Sequence, residues 1–396
     1  MKISRRLLLK NVIAFPVLTY LNIDPIKRQK PLRVSLIGHT GKGDYGHGLD
    51  KAWLTIPGVQ LVAVSDPDAA GLANAKKRLQ LKQGYLSYSE MLEKEKPDIV
   101  CIAPRFIHEH HDMVLQSIKN EVKGIYMEKP FCRNLVEAKG IVALCQQQQV
   151  KLALAHRNRY HPALNMAKKL IQDGQIGQII EIRGRGKEDH RGGTLDLWVL
   201  GSHILNLVPI FTGKFTACYA SMYQDNNPIG KADLREGAEG VGTIAGNALH
   251  ARFETTKGIP FFFDSIQHKK ANDSAFGFRI YGTKGSLDFR IDQNPFIYYA
   301  ARNDTQGGPR NWEPVSSIGI NKPEEDPQMY SNLMNHRIPI LDLISSIQSH
   351  QQPLCNASEG LDTMEAIMAI FESQRLDGAR VPLPLHSYEN ALDSLK

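Results

Sequence analysis

The sequence predicts an α/β protein in two parts. An N-terminal parallel-sheet domain spans residues 31–155, and an α+β domain built on a large, mainly antiparallel sheet spans 156–396. Three observations predict it. Short apolar strands alternate with helix-length segments as far as Ala155. A glycine-rich turn follows the first strand and an acid closes the second. Beyond Gln178 the pattern changes to long β-rich runs separated by tight turns. At 396 residues the chain is also longer than one core usually organises.

Residues 32–38 read as a strand opening onto Gly38-His-Thr-Gly41-Lys-Gly43-Asp-Tyr-Gly46-His-Gly48. A helix begins at 49–54, and 59–66 is a second strand ending in Asp66. This order is the Rossmann-type dinucleotide unit. Glycines let the turn be tight and the backbone approach a pyrophosphate, whose charge the amides at the helix start would meet. Asp66 lies twenty residues after Gly46, the usual spacing for the acid that accepts the adenosine ribose hydroxyls. That acid repels a 2′-phosphate, and no Arg or Lys follows in Pro67-Asp68-Ala69-Ala70, so NAD is favoured over NADP. Two registers stay open. Gly41-x-Gly43-x-x-Gly46 fits GxGxxG literally, whereas counting from Gly38 puts Thr40 at the second glycine.

Helices follow at 69–80, 88–94, 108–119 and 135–148, with strands at 98–103, 125–127 and 150–155. The strand at 125–127 runs straight into Glu128-Lys129-Pro130. Proline cannot donate to a sheet, so it ends the strand and leaves Glu128 and Lys129 at the carboxyl end. Ligands sit at that end in open parallel sheets. A partly desolvated lysine there can hold a developing oxyanion or ease a proton from a hydroxyl. A surface Glu-Lys pair is the alternative.

The second half holds a helix at 163–171 and strands at 178–185, 215–224, 247–254, 259–267, 275–282, 285–290 and 295–301. A loop at 303–330 and helices at 333–349 and 357–374 complete it. After Gly192-Gly193, a helix carries Asp196 and His203, seven apart and so on one face. An imidazole suits proton acceptance from a hydroxyl near neutral pH. A core histidine satisfied by a carbonyl is the alternative.

The net charge of +7 is concentrated at one end, since residues 1–30 hold seven Lys/Arg and one acid. The nearly neutral remainder gives no reason to expect a nucleic-acid partner. The leader itself, Ser4-Arg5-Arg6-Leu7-Leu8-Leu9-Lys10 followed by an apolar run, resembles a twin-arginine export signal. It implies a periplasmic or otherwise exported protein, held at the membrane if the leader is not cleaved. The apolar run is too short for an ordinary membrane span, and no other segment is read as one. Five scattered cysteines suggest neither a zinc site nor a disulfide framework.

The glycine-rich turn, Val64-Ser65-Asp66, Ala103-Pro104-x-x-x-His108 and Glu128-Lys129-Pro130, in that order, resemble the Gfo/Idh/MocA family (glucose–fructose oxidoreductase / inositol dehydrogenase). Gly174-Gln-Ile-Gly177 and Gly282-Thr-Lys-Gly285 extend the resemblance across 31–396. It implies that Lys129 reaches the nicotinamide ribose and the substrate hydroxyl, and that Pro104 and His108 flank the nicotinamide pocket. The family's helix carries Asp-x-Gly-x-His. Gly201-x-His203 matches the second half, but Val199 stands where the aspartate would be. Asp196, one turn earlier, is the candidate replacement; an acid that merely favours the helix N-terminus is the alternative.

The resemblance therefore implies an NAD-dependent oxidoreductase of a sugar or polyol. His203 takes the hydroxyl proton, Lys129 stabilises the alkoxide, and hydride passes to the nicotinamide. Export would require a tightly held NAD, because little free NAD lies outside the cytoplasm. A redox-neutral glycosidase or lyase is one alternative. A non-catalytic exported carbohydrate-binding protein, which Val199 keeps open, is another. A homo-oligomer formed through the open face of the C-terminal sheet is implied by the resemblance alone.

Overall fold

Strand β1 (Leu32–Ile37) lies at the middle of a six-stranded parallel sheet. It is flanked by β2 (Val59–Ser65), β3 (Gln83–Tyr85), β4 (Ile99–Ile102), β5 (Gly124–Met127) and β6 (Lys151–Leu154), in the order β3-β2-β1-β4-β5-β6. This computed structural model describes residues 30–267, 276–302 and 311–395. The expected leader at 1–30, with its twin-arginine pattern, lies outside them but for Lys30. Strands β4, β5 and β6 are buried at every residue. Apart from Lys151 at the start of β6, they read as continuous apolar runs, as strands covered on both faces do. The chain order reverses between β1 and β4, which opens a crevice at the strands' carboxyl ends.

Helices α1 (Leu49–Ala52), α2 (Ala69–Leu79), α3 (Tyr88–Glu95), α4 (His110–Lys119) and α5 (Leu135–Gln147) cover this sheet. Asp68 and Asn134 start α2 and α5 by accepting the amides of Gly71 and Glu137, as polar N-caps do. Helix α1 is shorter than expected, a single turn continued by a 3-10 turn at Trp53–Thr55. It offers little of the dipole assumed for binding phosphate.

After α6 (Ala163–Gln172), β7 (Ile179–Arg185) and β8 (Phe215–Gln224) join strands Ala248–Thr255, Phe261–Ile266, Gly277–Gly282, Gly285–Arg290 and Ile297–Ala301 in a second, larger sheet. Its pairings are antiparallel except that of β7 with Phe261–Ile266, which is parallel. One face of this sheet carries a row in cross-strand register: Tyr219, Arg252, Phe262, Arg183, Arg279, Asp288 and Tyr298. Arg183 stacks 4.6 Å from the Phe262 ring centre and Arg252 5.1 Å from that of Tyr219.

Two expectations are corrected here. The presumed loop at 303–330 contains strands Glu313–Ser316 and Gly319–Ile320, which extend the sheet edge; residues 303–310 are outside the described set. The helix expected at 333–349 is two helices, Met329–Met334 and Arg337–Ser349, broken where His336 takes φ 65°. Thr194–Thr212 is long and apolar enough to cross a membrane by composition, yet 78% of its most apolar window is buried inside the fold.

Candidate active site

Strand β5 delivers Glu128 and Lys129 to the crevice. Glu128 is fully buried. Its Oε1 accepts the His47 amide at 3.0 Å and faces His47 Nδ1, while Oε2 accepts the Lys129 amide at 2.8 Å. Burial alone would raise this carboxyl, but the His47 hydrogen bond and the charges of His47 and Lys129 hold it well below the usual carboxylate range. Glu128 thereby ties the glycine loop to the end of β5. Gly46 is the point of contact, since a Cβ there would lie 2.6 Å from both the Ala103 carbonyl oxygen and Glu128 Cγ.

The Lys129 side chain is 6% exposed, and its Nζ donates to the Val199 carbonyl at 2.6 Å. Val199 belongs to a π-turn, Leu197–Gly201, inside the Thr194–Thr212 helical segment. Among the described residues no carboxylate forms an ion pair with Lys129. Burial pushes its pKa down, with Glu128 opposing. Two residues beyond the π-turn comes His203, also buried, whose Nδ1 has no hydrogen-bond partner among the described residues. Burial first, and the Lys129 charge second, hold its pKa well below 6.5, so the ring is neutral. His156 meets it edge-on, with ring centres 5.1 Å apart. The structure thus anchors Lys129 to the π-turn that leads into His203.

Asp196 is not part of that group. The π-turn takes up an extra residue per turn, so positions seven apart no longer realign across it. The fully buried Asp196 carboxylate accepts the amides of Lys187 and Glu188, both at 3.2 Å, and the Ser265 hydroxyl at 2.6 Å. It fastens the segment before the helix to strand Phe261–Ile266, and makes no hydrogen bond to His203. The position expected to carry an acid, Val199, supplies its carbonyl instead.

Pro104 is buried at the end of β4, and half-buried His108 stands at the crevice mouth, close to Gly240. Sequence reasoning missed His110. This fully buried ring faces the Pro104 carbonyl at 2.8 Å and the Pro130 carbonyl at 3.0 Å, pinning the ends of β4 and β5 together. The partner at Pro130 is twenty residues away, so no local pattern announces it. Also missed were Arg157 and Asn158, which clamp Asp292 at 3.0 and 2.8 Å. The charge of Lys129 is felt at Asp292 as well.

In the glycine loop, Gly41, Gly43 and Gly46 take φ of 85°, 81° and 59°, a region that favours glycine. A Cβ on Gly43 would fall 2.4 Å from the Arg105 amide nitrogen, so Gly43 and Gly46 are both points of close approach. Asp66 sits at the end of β2 as expected, but fully buried, its oxygens already taken by Thr40, Tyr45 and Asp68. The residues fit a dinucleotide at the nicotinamide end, through the buried amine, the neutral imidazole and the glycine cradle. At the adenosine end the protein's own hydroxyls stand on the acid.

Comparison with known proteins agrees with this geometry. Residues 32–156 match the oxidoreductase family's NAD-binding Rossmann fold, and residues 168–383 match its C-terminal alpha/beta domain. D-apiose dehydrogenase of Paraburkholderia graminis is 27% identical over 204 residues, covering 49% of this chain and 54% of that one. Levoglucosan dehydrogenase of Pseudarthrobacter phenanthrenivorans is 23% identical over 278 residues, 63% of this chain and 69% of that one. The chain therefore spans little more than half the length of the first of these relatives. A solved levoglucosan dehydrogenase in complex with NADH and levoglucosan shares the fold, with a TM-score of 0.71 at 19% identity, covering 89% of this chain and 100% of that one. The chain belongs to the Gfo/Idh/MocA oxidoreductase family, with its NAD-binding Rossmann domain followed by its C-terminal α/β domain.

Proposed function

We propose that the protein is an NAD-dependent dehydrogenase acting on a hydroxyl-bearing carbon of a sugar or polyol. One observation carries this reading: Lys129 is anchored to the turn that leads into His203, at the carboxyl edge of the parallel sheet. NAD, when bound, supplies the hydride acceptor. The chain's own residues do the rest. Neutral His203 takes the hydroxyl proton, Lys129 holds the oxygen as negative charge develops, and burial of both excludes water. Relatives named for apiose, levoglucosan and scyllo-inositol support a small polyhydroxylated substrate. Val199 does not weigh against catalysis in this reading, because its carbonyl holds Lys129. Screening sugars, polyols and glycosides for a change in nicotinamide absorbance tests it, with Lys129→Met and His203→Ala as controls.

The twin-arginine-like leader supports export of the folded protein with its cofactor loaded, and so a retained NAD that is reset within each cycle. Two chemistries meet that need: a second sugar that takes the hydride back, or a redox-neutral elimination on a glycoside. Mass spectrometry of the purified protein tests retention. Aglycone release without net NADH would select the redox-neutral course. The aromatic and arginine row on the open sheet face supports a homo-oligomer, since these residue types concentrate in interface cores. Light scattering on the purified protein, with Phe262→Asp and Arg252→Glu, tests that.

A further inference from the structure

Asp66 holds the position from which a carboxylate receives an adenosine ribose, yet its acceptors are spoken for. Oδ1 accepts the amides of Thr40 at 3.1 Å and Asp68 at 3.0 Å. Oδ2 accepts two hydroxyls, Thr40 Oγ1 at 2.7 Å and the Tyr45 phenol at 2.9 Å. Two hydroxyls on one carboxylate are what a ribose diol would offer. The Tyr45 ring fills the space above Gly38, where a Cβ would lie 2.2 Å from it. Arg78 stacks on the ring, 4.8 Å from its centre, and is itself held by Asp50 at 2.7 Å. A ribose reaches Asp66 only when these hydroxyls leave.

We propose that Thr40 and Tyr45 are an internal stand-in for the adenosine ribose, so that NAD binds by exchanging two protein hydroxyls for two of its own. This rests on the NAD-dependent reading above. The stand-in keeps a buried carboxylate from being left unpaired, which is costly. It also makes Tyr45 a specificity-determining residue. Only a ligand that returns two hydroxyl donors to Asp66 completes the exchange, and a 2′-phosphate leaves the ribose with one. The loop is built to allow it. Glycines at 41, 43, 46 and 48, all at positive φ, follow Thr40 and flank Tyr45, and a Cβ at Gly41 or Gly48 would meet nothing within 4 Å among the described residues. His39 and Lys42 meanwhile keep the loop's tip on Glu109, at 2.7 and 3.1 Å. The movement is therefore local to Thr40 and Tyr45. The affinity of the empty protein for NAD is lowered by the fraction of time the acid is covered.

Calorimetric titration of the full chain, stripped of nucleotide, tests this with NAD, NADP and nicotinamide mononucleotide. Tyr45→Phe removes one competing hydrogen bond to a charged acceptor, so NAD should bind about tenfold more tightly. Nicotinamide mononucleotide lacks the adenosine half, so its affinity should not move. Adding NAD to the wild type should give a near-ultraviolet tyrosine difference band that Tyr45→Phe lacks. Thr40→Val, with the same expected direction, serves if Tyr45→Phe does not fold. If the folded variant binds NAD equally or more weakly than wild type, the stand-in idea is overturned while the NAD-dependent reading survives. Failure of both proteins to bind NAD would overturn the two together.

Discussion

Acid should unfold this protein early, because the core holds histidines that must be neutral. His156, His161 and His336 are 3%, 4% and 1% exposed. Burial lowers the first two to about 3 and the third to about 4. His161 makes the reason concrete: Nδ1 accepts the Ala163 amide at 3.2 Å while the ring stacks on Phe296, so a proton on Nδ1 breaks a buried hydrogen bond. The folded pKa values lie below the unfolded value of about 6.5, so the unfolded chain binds the extra protons. Stability is complete above about pH 6.5 and is lost as pH falls toward about 3 to 4. From about pH 7.5 to 5.5 each histidine costs about 1.4 kcal/mol, and the three together about 4 kcal/mol. His203 adds in the same direction. That is a large part of the 5–15 kcal/mol or so by which domains are usually stable. Asp196, Asp342, Glu359 and Glu365, which burial raises, work in the opposite sense as they take up protons, so about 4 kcal/mol is the upper value of the loss. Urea unfolding at three pH values across the window reads the loss directly. His161→Phe, which keeps the stack on Phe296, should recover about one third of it. A loss below about 1 kcal/mol, or stability rising as pH falls, would refute the reasoning.

Three further predictions follow from the site. Lys129→Met removes a buried ammonium whose only direct partner among the described residues is a carbonyl, so turnover should fall at least about 100-fold while thermal stability is kept or raised; matched rate and melting measurements check both. Gly46→Ala forces a Cβ against Ala103 and Glu128 at positive φ, and should cost about 1–3 kcal/mol in urea unfolding while weakening NAD binding in calorimetry. Asp196→Ala strips the partners from two amides and Ser265. It should destabilise by about 2–3 kcal/mol yet leave the pH profile of turnover per folded molecule in place, which a proton-relay role for Asp196 would not allow.

The parts of the molecule legible in the sequence were those set by neighbouring residues. The β-rich runs of β8 and Ala248–Thr255, the apolar runs of β4 and β5, and the end of β5 ahead of Pro130 each follow from a short stretch of chain. Asp66 was found by spacing, but its occupancy was not. That depends on Tyr45 turning back over Gly38, a fold of the loop onto itself that the glycine pattern permits without dictating. Asp196 was misplaced because a seven-residue realignment assumes regular helix, and the π-turn at Leu197–Gly201 breaks that assumption. Strands Glu313–Ser316 and Gly319–Ile320 are too short and too rich in proline and glycine to register as strands. They form because the sheet edge beside Ile297–Ala301 is there to be paired. His110 and Asp292 owe their roles to partners far along the chain.

The central claim is that an amine anchored to the π-turn and the imidazole just beyond that turn act on the same substrate oxygen. Initial rates of nicotinamide reduction on the best substrate from a sugar and polyol panel test it most directly, in wild type, Lys129→Met, His203→Ala and the double variant. The account predicts a large loss in each single variant, and a double-variant loss far smaller than the product of the two, because the groups work as a unit. Normal turnover by the double variant would contradict it.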